Sequence, residues 1–530
     1  MMVNPCLVQL QNENGRLPMQ VCGRDARGRV ATVGTLVMRE SGSERATDAR
    51  TAGAMIEGRG GGVDETDLSL LPAHRLAPLI RAGTVSPVES VEAVLDRIAI
   101  VEPQINAFAV VTAEAARAAA RRAEAAVRAG EPLGPLHGVT VTIKDLAGVA
   151  GLPTARGSHI FAGEVATRDA PFVERLKAAG AIVVGKTTTP ECGWVALGRS
   201  PLTGDTHNPW RHGFTPGGSS AGAAAAAAAG CGPLHQGTDA AGSIRVPAHF
   251  CGLFGLKPSY GRIPMVPVGL HDLASHGGPM TRSVRDAAMM LAAMAGPHPE
   301  DHTCLDAAPA DYAGRLSEGI AGKRIAFSPD LGHIRVDPEV AALVRVGLSA
   351  FTEAGAIVEE VATPWGGGGV ELARFFWKAH FSGFARFLPQ WRDGMDPHLV
   401  ACIEDGMAVK ASDYQLQRER KYAWCSEIGR WFADWDFLVT PTASVATFPV
   451  GQLAPDGWPQ HAWDWLEWAE FSYPFNFTGA PAASVPCGMT ADGRPVGLQI
   501  VGRRFDDLGV LQAAAAFEAA RPWAHLRPPL

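Results

Sequence analysis

No stretch of this chain approaches the roughly 18 consecutive apolar residues that a membrane span needs. Charge is sparse too, at 19% of 530 residues, with 47 basic against 54 acidic side chains and a net charge of −7. No basic cluster is long enough to make a nucleic-acid footprint. These absences turn the search towards small-molecule partners and away from membranes and polyanions. Cys-x-x-Cys spacing is missing as well. The nine cysteines (Cys6, Cys22, Cys192, Cys231, Cys251, Cys304, Cys402, Cys425, Cys487) are scattered and odd in number, as expected of free thiols in a reducing cytoplasm. Neither His207 with His212 nor His271 with His276 belongs to a His-Glu-x-x-His frame or pairs with cysteines, so no metal or other cofactor is expected. The opening residues 1–6 lack the basic start and roughly 7–15-residue apolar core of a secretory signal, and no export is expected.

What is present is apolar bulk, at 47% of the chain, enough for a large core. The length suits either a few domains or one continuous α/β unit. Residues 1–62 show neither helical nor strand periodicity, are rich in Arg and Gly, and end in Gly58-Arg-Gly-Gly-Gly62. They read as an N-terminal extension: a regulatory or oligomer-contacting arm, a poorly ordered tail, or a reading frame whose natural start lies nearer Met55. No internal repeat and no break in composition follows, so residues 63–530 read as a single domain.

Helical spacing begins with Leu68, Leu71, Leu76 and Ile80. Ser86-Pro87-Val88-Glu89 then combines an N-cap serine, a first-turn proline and a capping-box glutamate, opening a helix through Ile98. A further helix spans residues 113–129. Residues 139–144 alternate strictly, with Val139, Val141 and Ile143 on one face and Thr140, Thr142 and Lys144 on the other. Lys144 either leaves a strand for solvent or is buried. In the second case desolvation lowers its pKa and makes it a usable base. A helix from Phe172 and an apolar strand over 181–186 follow, a strand–helix–strand alternation that predicts a mostly parallel buried sheet. The loop over 187–216 is long enough to expect a functional role.

Residues 217–243 hold the densest run of small side chains: Gly-Gly-Ser-Ser-Ala-Gly, seven alanines, and then Gly237-Thr-Asp-Ala-Ala-Gly-Ser243-Ile-Arg-Val-Pro. Small residues around two separated serines let backbone N–H groups approach a ligand closely, which makes Ser243 a candidate nucleophile. The amides of Ala240, Ala241, Gly242 and Ser243 are candidate oxyanion donors, with Asp239 and Arg245 flanking them. An ordinary tight turn stabilised by that Asp–Arg pair is the plainer alternative. A formal Gly-x-Ser-x-Gly is centred on Ser220, but a nucleophile elbow needs a strand directly before it, and residues 208–216 read as a loop. Ten of the thirteen tryptophans fall within residues 364–470. Most are expected in the core, with a minority reaching an apolar cleft.

Together these residues resemble the amidase signature family. The likeness is carried by Pro-Leu-His-Gly-Val-Thr-Val-Thr-Ile-Lys-Asp at 135–145, Gly-Gly-Ser-Ser-Ala-Gly at 217–222, and Gly-Thr-Asp-Ala-Ala-Gly-Ser-Ile-Arg-Val-Pro at 237–247. Gly-Leu-Lys-Pro-Ser-Tyr-Gly-Arg at 255–262 and Gly-Arg-Pro-Val-Gly-Leu-Gln-Ile-Val-Gly at 493–502 extend it over roughly residues 65–525. The resemblance implies one α/β/α domain, a central mixed β-sheet covered by helices. It also implies a triad of Lys144 as base, Ser219 in a cis peptide as proton relay, and Ser243 as nucleophile. Ser220 is then a supporting residue that hydrogen-bonds near the lysine and the loop. Ala241, preceded by Ala240, replaces the glycine that many relatives carry there, so the loop must adopt a conformation alanine tolerates.

The activity implied is hydrolysis of a small, hydrophobic or aryl amide by a cytoplasmic enzyme, with water as second substrate and esters or carbamates as side substrates. A homodimer is the assembly left open. The alternative is the glutamine-hydrolysing subunit of a tRNA-dependent amidotransferase. It is disfavoured because Leu273-Ala-Ser-His-Gly-Gly278 stands where such relatives carry Ser-Leu-Asp-Gln. A catalytically dead binding protein is disfavoured by the presence of Lys144, Ser219 and Ser243 together.

Overall fold

Strand–helix–strand units over residues 140–187 and 324–360 build towards the two flanks of one sheet, and antiparallel strands fill its middle. A computed structural model describes residues 67–269 and 272–530, together with the backbone of the strands Cys22–Arg24 and Val30–Thr32. In chain order the sheet strands are β1 (Phe108–Val111), β2 (Thr140–Lys144), β3 (Ile182–Thr187), β4 (Leu234–Asp239), β5 (Phe254–Lys257) and β6 (His276–Thr281). They continue with β7 (Arg324–Phe327), β8 (Ile357–Glu360), β9 (Phe437–Pro441), β10 (Ala482–Met489) and β11 (Pro495–Gly502). Across the sheet the order is β8-β7-β9-β11-β10-β5-β6-β4-β2-β3-β1.

The expectation of a mostly parallel sheet is corrected. Parallel pairing is confined to β2 with β3 and β4, and to β7 with β8 and β9. The remaining neighbours are antiparallel. The helix Pro171–Ala178 carries the chain from β2 to its parallel neighbour β3, as a crossover connection requires. The turn at 490–494 instead folds β10 back on β11 as a hairpin, with the Thr490 N–H donating to the Arg494 carbonyl at 2.8 Å. The resulting mixed α/β architecture is the one the resemblance implied.

Local signals set the covering helices. Ser86 Oγ accepts the Val88 N–H at 2.9 Å while Glu89 returns to the Ser86 N–H at 2.9 Å, closing the capping box. That helix, Pro87–Ile105, runs a further two turns beyond Ile98 and ends on Asn106 in the left-handed region. The alanine run becomes the helix Ala221–Ala228, with every residue buried. It covers the polar face of β2, whose five residues are all buried, while Val141 and Ile143 on the opposite face join the largest apolar cluster. Lys144 therefore does not leave the strand for solvent.

Most of the tryptophans go to the core. Trp377, Trp458, Trp465 and Trp468 pack with Trp194 in one cluster, and Trp365, Trp424 and Trp435 in another. The seven described cysteines are all free. The chain divides into two units, 1–60 and 61–530. The strands Cys22–Arg24 and Val30–Thr32 pair antiparallel in the first, and the eleven-stranded sheet lies in the second. Apart from those strands, the expected poor order of residues 1–62 lies outside the described residues. No described helix is long and apolar enough to cross a membrane.

Candidate active site

β2 ends on Lys144 and β4 on Asp239, and the two strands run parallel side by side. Their ends therefore deliver a lysine and the small-residue turn to the same place. Lys144 is fully buried, and its Nζ lies 2.7 Å from Ser219 Oγ and 3.0 Å from Thr238 Oγ1. Burial pushes the amine well below its ordinary value, opposed only by the charge of Asp239. Its backbone is held too, with the Lys144 N–H donating to Gln236 Oε1 at 3.2 Å.

Ser219 follows a cis Gly218–Ser219 peptide. Ser220 makes no hydrogen bond to Lys144. Its hydroxyl donates to the Thr238 carbonyl at 3.1 Å and accepts the Thr238 N–H at 3.2 Å, while its own N–H donates to the Ser243 carbonyl at 3.1 Å. Ser220 thus ties the two serine loops together, and its neighbour Thr238 is the residue that meets the lysine. Both Ser219 and Ser243 are 3% exposed and open on one cavity of about 490 Å³.

The turn over 239–245 is built around one carboxylate. Asp239 Oδ1 accepts the Gly242 N–H at 2.8 Å, and Oδ2 accepts those of Ile244 at 3.1 Å and Arg245 at 3.4 Å. Of the four amides expected to hold an oxyanion, the one at Gly242 is therefore already engaged. Gly242 instead supplies the bend: its φ is +99°, and a Cβ there would lie 2.6 Å from Ser472 Oγ. In this turn positive φ belongs to Gly242 alone, so alanine at 240 and 241 carries no left-handed strain.

Arg245 closes on Asp239 at 2.9 Å with both side chains fully buried. It also donates to the Ser472 carbonyl at 2.8 Å, Gln499 Oε1 at 2.7 Å and Asn476 Oδ1 at 2.5 Å. Burial alone would raise the Asp239 pKa. The charge and hydrogen bonds of Arg245, with help from Asn476 and the charge of Lys257, hold it well below the usual carboxylate range instead. The carboxylate stays charged next to Lys144.

The matching sequence profile of the amidase family spans residues 89–511. This chain belongs to the amidase signature family. It is 41% identical over 475 residues to an acylamidase of Rhodococcus erythropolis, covering 88% of this chain and 98% of that one. It is 35% identical over 495 residues to a subunit of the glutamyl-tRNA(Gln) amidotransferase of Chloroflexus aggregans, at 88% and 99% coverage. Among solved structures, a bacterial aryl acylamidase of the amidase signature family superposes with a TM-score of 0.79 at 28% identity, over 86% of this chain and 97% of that one. Membership makes the chain an amide hydrolase by class.

Within this amidase-signature fold, several site residues were not singled out from sequence. Thr238 sits inside the quoted Gly-Thr-Asp motif, and Gln499 inside the closing motif, so their signal was present without a role attached. Asn476 lies on the one-turn helix Pro474–Phe477, and its amide donates to Asp239 Oδ1 at 2.9 Å and to the Asp239 carbonyl at 3.0 Å. The cleft itself holds no tryptophan. From the tryptophan-rich region it takes His380 and Phe384, joined by Cys192 and Gly193 from the long loop and by Met265 and Val266. The expectation that some tryptophans would line the cleft is corrected: large indoles fill volume between helices, and the smaller rings of His380 and Phe384 are left facing the cavity.

Proposed function

We propose that this amidase hydrolyses small acylamides, aryl-substituted ones among them, through an acyl-enzyme on Ser243. The observation that carries the reading is the 2.7 Å contact of a buried lysine with Ser219 at the cavity where Ser243 also opens. A serine hydroxyl is a poor nucleophile without a base. Neutral Lys144 accepts the Ser219 proton as Ser219 takes that of Ser243, and Ser243 Oγ forms the bond to the amide carbon. The amides of Ala240, Ala241 and Ser243 are the donors we assign to the developing oxyanion. Ser219 then protonates the leaving nitrogen, drawing its replacement proton from Lys144, and the carbon–nitrogen bond breaks. Water enters by the same relay, releasing the acid and restoring Ser243.

The acylamidase and aryl acylamidase relatives support the substrate class, and the His380, Phe384, Met265 and Val266 surfaces suit an apolar or aromatic group. The scattered free thiols support a cytoplasmic setting, and light scattering after size exclusion would test for a homodimer. The amidotransferase reading remains second, on the strength of the 35% relative; glutaminase activity exceeding anilide hydrolysis would favour it. Ser243→Ala should lower hydrolysis of a p-nitroanilide by about 10³-fold or more while leaving Tm unchanged. Trapping wild-type enzyme with a slow substrate should add one acyl mass at Ser243. Retained activity in Ser243→Ala would sink the mechanism.

A further inference from the structure

We propose that Trp377 and Trp465 are positioning residues for the Ser219 relay, clamping the main chain behind it through one shared carbonyl. The inference rests on the Lys144–Ser219–Ser243 assignment above. A buried indole N–H needs an acceptor. Here two of them, from segments far apart in sequence, choose the same one: Trp377 Nε1 donates to the Trp194 carbonyl at 2.9 Å and Trp465 Nε1 at 3.1 Å. The two rings meet edge to face, with centroids 5.3 Å apart and planes at 80°, and Trp194 is itself fully buried. The carbonyl has two lone pairs and both are used.

That carbonyl belongs to the backbone directly behind the relay serine. A Cβ on Gly193 would lie 3.3 Å from Ser219 Oγ, and a Cβ on Gly218 would lie 2.3 Å from the Leu197 carbonyl oxygen. Gly193 and Leu197, on either side of this stretch, thus lie directly against the Ser219 loop. Thr215 Oγ1 accepts the N–H groups of both Gly198, at 3.2 Å, and Gly217, at 3.1 Å, fastening the two segments to each other. A shift of the Trp194 segment therefore moves the wall on which Ser219 rests, and with it the short Lys144 contact. The tryptophan density of this region, which the cavity does not use, acquires a role: it holds the relay by its back.

The relay matters unequally for different leaving groups. Ser219 takes the Ser243 proton with either substrate, but an anilide nitrogen leaves only when Ser219 also returns a proton to it, whereas p-nitrophenolate leaves from an ester without that second transfer. Trp→Phe keeps a ring in place and removes the N–H. In the Trp377→Phe/Trp465→Phe double variant, kcat on a p-nitroanilide should fall roughly 10-fold or more, with KM little changed, because small misplacements of reacting groups are costly. On the p-nitrophenyl ester of the same acid the loss should be smaller by about threefold or more. The p-nitrophenol burst counts competent sites, so a partly misfolded preparation is normalised, and the single variants are read in the same way where the double variant does not accumulate. Equal losses on both substrates, or none, would overturn the tryptophan role alone, provided that Ser243→Ala shows no burst. A burst surviving in Ser243→Ala would bring down the nucleophile assignment and this inference with it.

Discussion

At Lys144, burial and base strength are one physical fact: the desolvation that makes the charged amine expensive also makes the neutral amine available. The amine is pushed well below its ordinary 10.5 by burial, with Asp239 pulling the other way. A general base works deprotonated, so its contribution is lost as pH falls through the folded-state pKa. The limb of kcat/KM against pH should accordingly rise with pH and have its midpoint well below 10.5. Lys144→Ala should erase that limb and lower kcat/KM by about 10²-fold or more. A wild-type profile identical in shape to that of Lys144→Ala would refute the role. The alternation of threonines and valines in β2 was readable in the sequence, and it sorted Lys144 onto the polar face. That the polar face is also roofed over was not readable, because the roof is the alanine helix Ala221–Ala228, about eighty positions further along the chain.

The turn over 239–245 and the aromatic wall show how elements divide the labour. The Asp239–Arg245 pairing was legible from local spacing. Its outer partners Ser472, Asn476 and Gln499 were not, since they arrive from segments more than 220 residues away. Because Arg245 is fully buried, Asp239→Asn leaves its charge without a counter-ion, a change that costs about 3–5 kcal/mol. It should lower the unfolding midpoint in denaturant accordingly and abolish activity together with the turn; an Asp239→Asn protein of wild-type stability would contradict this account. The wall is different in kind. The helix Gly368–Phe381 and the 3-10 turn Ser382–Phe387 present His380 and Phe384 to the cavity. Phe384→Ala should leave stability nearly unchanged and reduce kcat/KM for aryl amides by roughly 10-fold relative to short alkyl amides. The same loss on both substrate sets would place Phe384 outside substrate recognition. Composition could show that this region is aromatic; which rings face the cavity depends on helix register and on ring size, and composition carries neither.

At the scale of the molecule, the mixed sheet brings the ends of β2 and β4 together by parallel pairing, and β6, β5, β10 and β11 carry Gln499 and its neighbours in from the far side. Local alternation predicted the parallel flank correctly. It missed the antiparallel centre because hairpin and long-loop returns leave no strand–helix–strand signature. Every residue assigned a role here lies between Lys144 and Gln499, inside the unit of residues 61–530. The family profile, over 89–511, also begins well inside that unit. A chain starting at residue 61 should therefore keep kcat/KM on a p-nitroanilide within about twofold of the full-length value, and its Tm within a few degrees, as expected when every residue assigned a role here is retained. A tenfold fall in kcat/KM with Tm unchanged would mean that residues 1–60 supply part of the substrate path, and would move the boundary of the functional unit to the start of the chain.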